Sequence, residues 1–285
     1  MPSLVATVVI ACGSKTNDEP TNPVIPLPER DGGDDDGGAD ASGSDTSAPG
    51  SDANAGCDLS NALVGFWSFD ENMGTTAVDK SLFKHDGTLV GPPAWSTDKP
   101  PTKEANTSSL VFNGTNTHVE IGNVQELRIT GALSLCAWIK TSVAPENYRT
   151  VVSKWWSGGE DAAYSLYFAN AGGIGLSVNS GIVTTRASSG FGLNDNLWHL
   201  VTGTWDGMTA RIYVDGIERA AEHAPPGFGL ISDIDDPVRI GTDNRFPADQ
   251  GDRYFNGSID DVRIYKRALS PEEVAMLFNG TCKKL

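Results

Sequence analysis

The chain has 285 residues and a formal net charge of −16 at pH 7, with 39% hydrophobic and 20% charged residues. An acidic chain without a basic stripe is a poor candidate for binding nucleic acid, so we exclude that class. Residues 1–56 contain ten Asp and Glu against two basic residues, so half of the net charge lies in about a fifth of the sequence. This uneven charge separates an N-terminal region from a folded remainder, residues 57–285.

The leader, residues 1–12, reads MPSLVATVVIAC and contains an apolar run too short to cross a bilayer. It resembles the end of a secretory signal, and Val9-Ile10-Ala11-Cys12 resembles a bacterial lipobox, in which the cysteine becomes the lipidated first residue. The resemblance implies export and a lipid anchor on Cys12 at the outer membrane or cell surface, or else a secreted or periplasmic protein. The alternative is an ordinary apolar N-terminus with an incidental cysteine.

The linker, residues 13–56, is rich in Pro, Asp, Gly, Ser and Ala, as in ERDGGDDDGGADASGSD. This composition buries too little apolar surface to offset the entropy lost when a backbone is ordered. It therefore predicts a disordered, self-repelling acidic tether. The Asp-Gly run lacks the ligand spacing and the closing Glu of an EF-hand calcium loop.

The remainder, residues 57–285, alternates short apolar runs with Gly, Asn and Asp at intervals of about eight to twelve residues. Eleven runs are predicted as strands: LVGFWSF, SLVFNG, HVEIG, LSLCAWIK, TVVSKW, YSLYFAN, GLSVNS, HLVTGTW, ARIYVDG, VRIGT and DVRIYK. Asp206-Gly207 and Asp215-Gly216 are hairpin dipeptides. The pattern predicts one all-β domain, a two-sheet antiparallel sandwich.

One short helix is predicted near the C-terminal end. Ser270 can cap its N-terminus, Pro271 suits the first turn, and Glu273 completes a capping box. Gly280 can end it.

The last predicted strand poses a packing problem. Alternation along SIDDVRIY places Asp260, Val262 and Ile264 on one face, and Ile259 and Arg263 on the other. The first face is apolar apart from Asp260. The sequence therefore predicts a carboxylate on the side that faces the core, where an unpaired charge is costly.

Five segments, in this order, resemble the laminin-G-like jelly-roll domain of the concanavalin A-like lectin and glucanase group. They are GFWSFDENMGTTAVDKS, SLVFNGTNTHVEIG, LSLCAWIK, NLWHLVTGTWDGMTARIYVDGIE and YFNGSIDDVRIYKRALSPEEV. The resemblance covers nearly all of residues 57–285, with its core motif at about 131–279. It implies a concanavalin A-like jelly roll that binds glycans or proteins without catalysis, although a fold alone does not name a ligand.

The resemblance also implies a structural calcium ion. In jelly-roll beta-glucanases of the wider group, a similar Asp-x-Val-Arg-hydrophobic-Tyr motif supplies a calcium ligand, and this chain matches it from Asp260 onward. Asp70 and Asp79, in the N-terminal motif, are the other expected ligands, although Lys80 and Lys84 depart from the family pattern there. The alternative is that Asp260 accepts hydrogen bonds from backbone N–H groups of a neighbouring loop.

Three cysteines other than Cys12 are interpreted by their context. Cys57 opens the domain and Cys282 nearly ends it, and sandwich termini often lie close together. An exported protein would therefore carry a Cys57–Cys282 disulfide. The alternative is two free thiols. Cys136 lies within a strand and is predicted to be a small buried hydrophobe.

A carbohydrate site needs exposed aromatic rings beside polar side chains. Trp155 and Trp156 cannot both point inward from one strand, so one of them is a predicted stacking residue. Tyr167 is a further candidate, and Tyr164 and Arg186 are weaker ones. The alternative is a ring that covers a sheet edge.

Signatures of catalysis do not occur in the sequence. There is no Glu-x-Asp-x-x-Glu run, HExxH, GxSxG or paired CxxC. We therefore predict a non-catalytic, surface-displayed module that recognises extracellular or cell-envelope carbohydrate, a polysaccharide or glycan. The alternatives are an adhesion module that binds a surface protein without glycan, and a divergent glycoside hydrolase with two facing carboxylates.

Overall fold

The computed structural model describes residues 58–281 except 92–93, 103–104, 145–146, 156–161, 170–171, 191 and 244–252. Some predictions lie outside the described residues and stay predictions: the leader 1–12, the tether 13–56, the start of the domain at residue 57, Cys12, the Cys57–Cys282 disulfide and Trp156. In the described part of the chain, no helix has the length and apolar character that a membrane span requires.

The described residues form sixteen strands and one α-helix. In chain order they are β1 (Leu63–Trp67), β2 (Thr76–Ala77), β3 (Gly87–Val90), β4 (Ala94–Ser96), β5 (Ser109–Asn113), β6 (His118–Gly122), β7 (Leu133–Lys140), β8 (Arg149–Trp155), β9 (Ala162–Phe168), β10 (Ile174–Asn179), β11 (Thr184–Ser188), β12 (His199–Trp205), β13 (Thr209–Val214), β14 (Ile217–His223), β15 (Val238–Ile240), β16 (Asn256–Tyr265) and α1 (Pro271–Asn279). The five strands that were not predicted are β2, β3, β4, β11 and β14.

The strands form two sheets of eight. Sheet A has the order β14-β13-β12-β7-β16-β5-β4, with β1 also paired to β16, and sheet B has the order β11-β10-β9-β8-β15-β6-β3-β2. The pairings are antiparallel, and many join strands far apart in the chain. The predicted all-β jelly-roll sandwich with a short C-terminal helix is confirmed.

The main core lies between the two sheets. Its largest fully buried rings are those of Trp67, Trp205, Tyr164, Phe69, Phe112, Phe168 and Phe255. A smaller apolar cluster lies on the outer face of sheet A, where α1 packs, and its members include Cys136, Tyr213, Tyr265, Leu269 and Val274. Helix α1 thus covers part of the outer face of sheet A.

The predicted helix is confirmed at both ends. The Ser270 hydroxyl accepts a hydrogen bond from the Glu273 N–H, and the Glu273 carboxylate accepts one from the Ser270 N–H. Gly280 ends the helix in the left-handed conformation, with φ of 59°. Such a capping box satisfies backbone donors that a helix terminus leaves without partners.

The predicted alternation along β16 is wrong. Ile259 lies in the main core together with Val262 and Ile264, so Asp260 does not share their face. Asp261 has a φ of +50°, and the register with β7 shifts between Asp260 and Arg263. This β-bulge inserts an extra residue and reverses the alternation.

The bulge lies where β16 changes partners along one edge. Residues 256–259 pair with β5, whereas 262–265 pair with β1. The other edge of β16 pairs with β7 across this junction. Asp260 therefore lies where β16 passes from its pairing with β5 to its pairing with β1, beside β7. It does not lie in the core between the sheets.

Candidate functional site

The outer face of sheet B carries a groove across β8, β9, β10 and β11, with a cavity volume of about 520 Å³. The described residues that line it are Tyr148, Trp155, Ala162, Ser165, Tyr167, Ser177, Asn179, Thr184, Arg186 and Arg253. These are aromatic, hydroxyl, amide and guanidinium groups around an open depression. We call this feature the sheet B groove.

Strand register places several of these side chains side by side. Ser165 lies opposite Ser177, and Ser177 lies opposite Arg186, so one row crosses three strands. The residues between them, such as Leu166 and Leu176, point into the main core. The polar row is thus the outward half of a strand alternation whose inward half holds the two sheets together.

The ring of Tyr167 forms part of the groove floor. Gly175 lies opposite it, and a Cβ at Gly175 would come within 2.5 Å of the Tyr167 ring. Only glycine therefore lets this ring lie across β10. The Tyr148 ring meets Tyr167 edge-on, with centroids 5.1 Å apart.

Burial of Tyr167 has an electrostatic consequence. Its side chain is buried in the floor of the groove, and this burial raises the pKa of its phenol. A hydrogen bond with the Ser177 side chain acts in the opposite direction, as do the charges of Arg186 and Arg253. The phenol therefore stays protonated at neutral pH.

Trp155 also lines the groove. It is the last residue of β8, lies opposite Ala162 and is half-buried. Tyr164 lies in the core, where its hydroxyl donates a hydrogen bond to the Leu127 carbonyl at 2.8 Å. The suggestion that Tyr164 contacts a ligand is therefore wrong, whereas Trp155, Tyr167 and Arg186 lie in one groove.

Two groove residues had no signal in the sequence. Tyr148 lies just before β8, and Arg253 lies just before β16, far away along the chain. The Arg253 guanidinium lies over the Tyr148 ring at 5.5 Å and pairs with the Asp243 carboxylate at 3.3 Å. Their proximity results from the pairing of non-consecutive strands, which no local pattern records.

The junction around Asp260 is a second polar site, on sheet A. The Asp260 carboxylate is fully buried and accepts hydrogen bonds from the Asn106 side-chain amide at 2.7 Å and from the Asp261 N–H at 2.9 Å. Burial raises the pKa of Asp260 to about 9, and the negative charge of Asp261 acts in the same direction. This carboxyl group therefore lacks a full compensating charge from the protein.

Asp70 lies close enough to Asp260 to raise its pKa further. The Asp70 carboxylate pairs with Lys80 at 2.7 Å and accepts a hydrogen bond from the Thr107 N–H at 2.7 Å. Burial opposes ionisation of Asp70, but these partners lower its pKa below the usual value. The loop that contains Asn106 and Thr107 thus brings the two carboxylates together.

Asp79 belongs to a different network. Its buried carboxylate accepts four hydrogen bonds, from the N–H groups of Phe66, Ser81 and His85 and from the Ser81 hydroxyl, at 2.8–2.9 Å. Both oxygens are therefore engaged by protein donors. These bonds join β1 to the loop that follows Asp79.

The Asp260 junction provides some of the oxygen ligands that calcium prefers. Besides the Asp260 carboxylate, the Asn106 side-chain oxygen is buried and has no hydrogen-bond partner among the described residues. In the same part of the chain, no group of three or more His, Cys, Asp or Glu side chains is placed to hold a metal. A calcium ion on Asp260, Asp70 and Asp79 stays a prediction, to which the structure adds Asn106 as a candidate ligand.

Comparison with sequence families gives one match. A laminin G family profile, described as the concanavalin A-like lectin/glucanases superfamily, matches residues 113–275. A comparison with curated proteins gave no match.

Solved structures share this fold at low sequence identity. The binding domain of Paraclostridial mosquitocidal protein 1 is 15% identical, with a TM-score of 0.62 over 78% of this chain and 52% of that one. Domain 4 of AbnA, an extracellular arabinanase from Geobacillus stearothermophilus, in complex with arabinotriose, is 19% identical, with a TM-score of 0.57 over 75% and 97%. The receptor-binding domain of a botulinum neurotoxin C/D mosaic serotype is 16% identical, with a TM-score of 0.56 over 78% and 52%. This chain thus spans about half the length of the first and third.

Proposed function

Because the chain belongs to the laminin G family of the concanavalin A-like lectin/glucanases superfamily, we propose that it is a non-catalytic module whose sheet B groove binds carbohydrate. The observation that carries this proposal is the combination of Trp155, Tyr148 and Tyr167 with polar side chains in one groove. Aromatic faces stack on the apolar face of a sugar ring, while hydroxyl, amide and guanidinium groups bond its hydroxyls. The fold shared with an arabinotriose-bound domain supports the proposal.

The two alternative functions, protein adhesion and glycoside hydrolysis, require different surfaces. A protein-docking face is typically broader and has an apolar centre, whereas the sheet B groove is lined mainly by polar groups between its rings. A glycosidase needs two carboxyl groups on either side of the scissile bond. The described lining residues carry hydroxyl, amide and guanidinium groups, which suit binding.

We expect Trp155→Ala to weaken carbohydrate binding by about tenfold or more, because it removes a ring that stacks and buries apolar area. The full-length chain is screened on a glycan array, and titration calorimetry then measures the affinity of each bound glycan for both proteins. Trp198→Ala is the matched control, because Trp198 is also half-buried but donates its indole N–H to Asp98, outside the groove.

Two results would contradict the carbohydrate proposal at different levels. Equal affinity in the wild type and Trp155→Ala would mean that the glycan binds elsewhere on the molecule. A blank array would favour a module that binds a surface protein without glycan. A pull-down from the cell surface would then identify that protein.

We also propose that the module is displayed at the cell surface by lipid on Cys12. The lipobox resemblance and the acidic tether support this location. Expression of the full-length precursor in its host with labelled palmitate should label the protein, and Cys12→Ala should remove the label. Lack of label in the wild type would contradict lipid anchoring and favour the secreted or periplasmic alternative.

A further inference from the structure

We propose that the sheet B groove selects acidic saccharides, which carry a carboxylate or a sulfate, and that Arg186 binds the acidic group. This inference rests on the proposed carbohydrate-binding function of the same groove and names the class of sugar. Three features support it. Arg186 makes no ion pair with a described carboxylate, it lies beside a row of hydroxyls, and a second guanidinium, that of Arg253, lines the same groove.

Arg186 differs from most arginines of the domain in its ion pairs. Six arginines pair with an Asp or Glu carboxylate: Arg128, Arg211, Arg239, Arg253, Arg263 and Arg267. Within the described residues, Arg186 makes no such pair, and its side chain is exposed in the groove. Among the described residues, no carboxylate therefore has to leave this guanidinium before a ligand anion can bind.

The surroundings of Arg186 suit a planar or tetrahedral anion. Arg186 lies opposite Ser177, and Ser177 lies opposite Ser165, so hydroxyl donors continue the row that the guanidinium begins. A guanidinium offers a rigid fork of N–H donors that matches carboxylate and sulfate oxygens in pairs. Ser177, which also bonds the Tyr167 phenol, is the hydroxyl next to this guanidinium.

Arg253 supplies a second positive charge on the groove. The Asp243 carboxylate and the Tyr148 ring hold its guanidinium in place, and because Asp243 balances much of its charge, Arg186 is the direct anchor. Burial raises the pKa of the Tyr167 phenol, and both arginines act in the opposite direction, which indicates that both charges reach the same ring.

The field in the groove differs from that of the whole chain. The chain carries a net charge of −16, yet the described lining residues include two arginines and no Asp or Glu. Because the Debye length is about 8 Å at physiological ionic strength, distant acids contribute little inside the groove. Among the described lining residues, Arg186 contributes a positive charge and the charge of Arg253 is shared with Asp243, a balance that favours acidic ligands at Arg186.

The test uses the full-length chain and three probes of equal chain length. They are an oligogalacturonate, its carboxyl-reduced neutral form, and a sulfated oligosaccharide. We expect the wild type to bind at least one acidic probe about tenfold more tightly than the neutral probe, with the difference falling as salt rises. Arg186→Gln should lower the acidic affinity to the neutral level and leave the neutral affinity within about twofold.

Arg219→Gln is the matched control, because it removes the same charge from an exposed position on β14, in sheet A. Thermal melting confirms that each variant is folded. Equal affinity of the wild type for acidic and neutral probes would overturn the inference while leaving carbohydrate binding intact, as would equal weakening of both by Arg186→Gln. Failure of the wild type to bind any saccharide, on the array or among the probes, would overturn the proposed function as well. Comparison of the carboxylated and sulfated probes identifies which acidic group Arg186 prefers.

Discussion

Replacing Asp79 by alanine should lower the free energy of unfolding by at least about 3 kcal/mol, a large fraction of the stability of a typical domain. The change leaves the N–H groups of Phe66, Ser81 and His85 without their acceptor, and two of these hydrogen bonds are fully buried. Each buried donor left without a partner costs about 1–3 kcal/mol. Urea denaturation followed by tryptophan fluorescence measures the loss.

A graded set of variants tests the cause. Asp86→Ala removes the single acceptor of the Asp79 N–H, so we expect a loss of about 1 kcal/mol. Amide exchange in Asp79→Ala should be fastest at Phe66, Ser81 and His85, because their acceptor is gone. A loss no larger than that of Asp86→Ala would mean that solvent or backbone rearrangement replaces the missing bonds. If Asp79 is instead a calcium ligand, its substitution should also remove any stabilisation by calcium.

Asp260→Asn should have the second large effect, and it should depend on both pH and calcium. The folded-state pKa of Asp260, about 9, lies above the ordinary aspartate pKa of 3.8. The stability that comes from this raised pKa is fully present below the unfolded pKa and is lost as pH rises through the folded pKa. In chelator, the wild type should therefore lose stability relative to Asp260→Asn as pH rises from 3.8 to about 9, by about 1.4 kcal/mol per pH unit.

If calcium binds at the Asp260 junction, it should make the wild type more stable than Asp260→Asn. A metal that binds only the native state at about a hundredfold excess over its dissociation constant adds about 2.7 kcal/mol, or roughly 5–10 °C in Tm for a domain of this size. Asp260→Asn removes the charged ligand, so its Tm should not respond to calcium. Differential scanning calorimetry from mildly acidic to alkaline pH, with calcium and with chelator, measures both effects.

The control is Asp235→Asn, whose carboxylate is 90% exposed and lies on another loop. Its melting should respond to calcium as the wild type does. Identical melting of the wild type in calcium and in chelator would contradict the calcium prediction. The pH effect in chelator would then leave Asp260 as a buried carboxyl group held by Asn106.

Local residue patterns predicted the fold class and most elements of the domain. Apolar runs such as LSLCAWIK and HLVTGTW became β7 and β12, because alternation and β-branched residues are properties of the strand itself. The capping box at Ser270 and Glu273 was also readable, since its two hydrogen bonds span only three residues. The strands that were not predicted include β11 and β14, whose sequences TTRAS and IERAAEH contain few large apolar residues.

Strand pairing decided the functional surfaces, and it could not be inferred from local patterns. Alternation assigned Asp260 to the core face, but the change of partner from β5 to β1 places a bulge there and reverses the faces. Similarly, Tyr148 and Arg253 meet at the sheet B groove because the folded sandwich brings distant segments together. A strand determines its own periodicity, whereas its neighbours depend on contacts across the whole domain. The sequence by itself therefore determined a jelly-roll sandwich with aromatic candidates, and only the tertiary structure decided which of those rings share a groove with arginines.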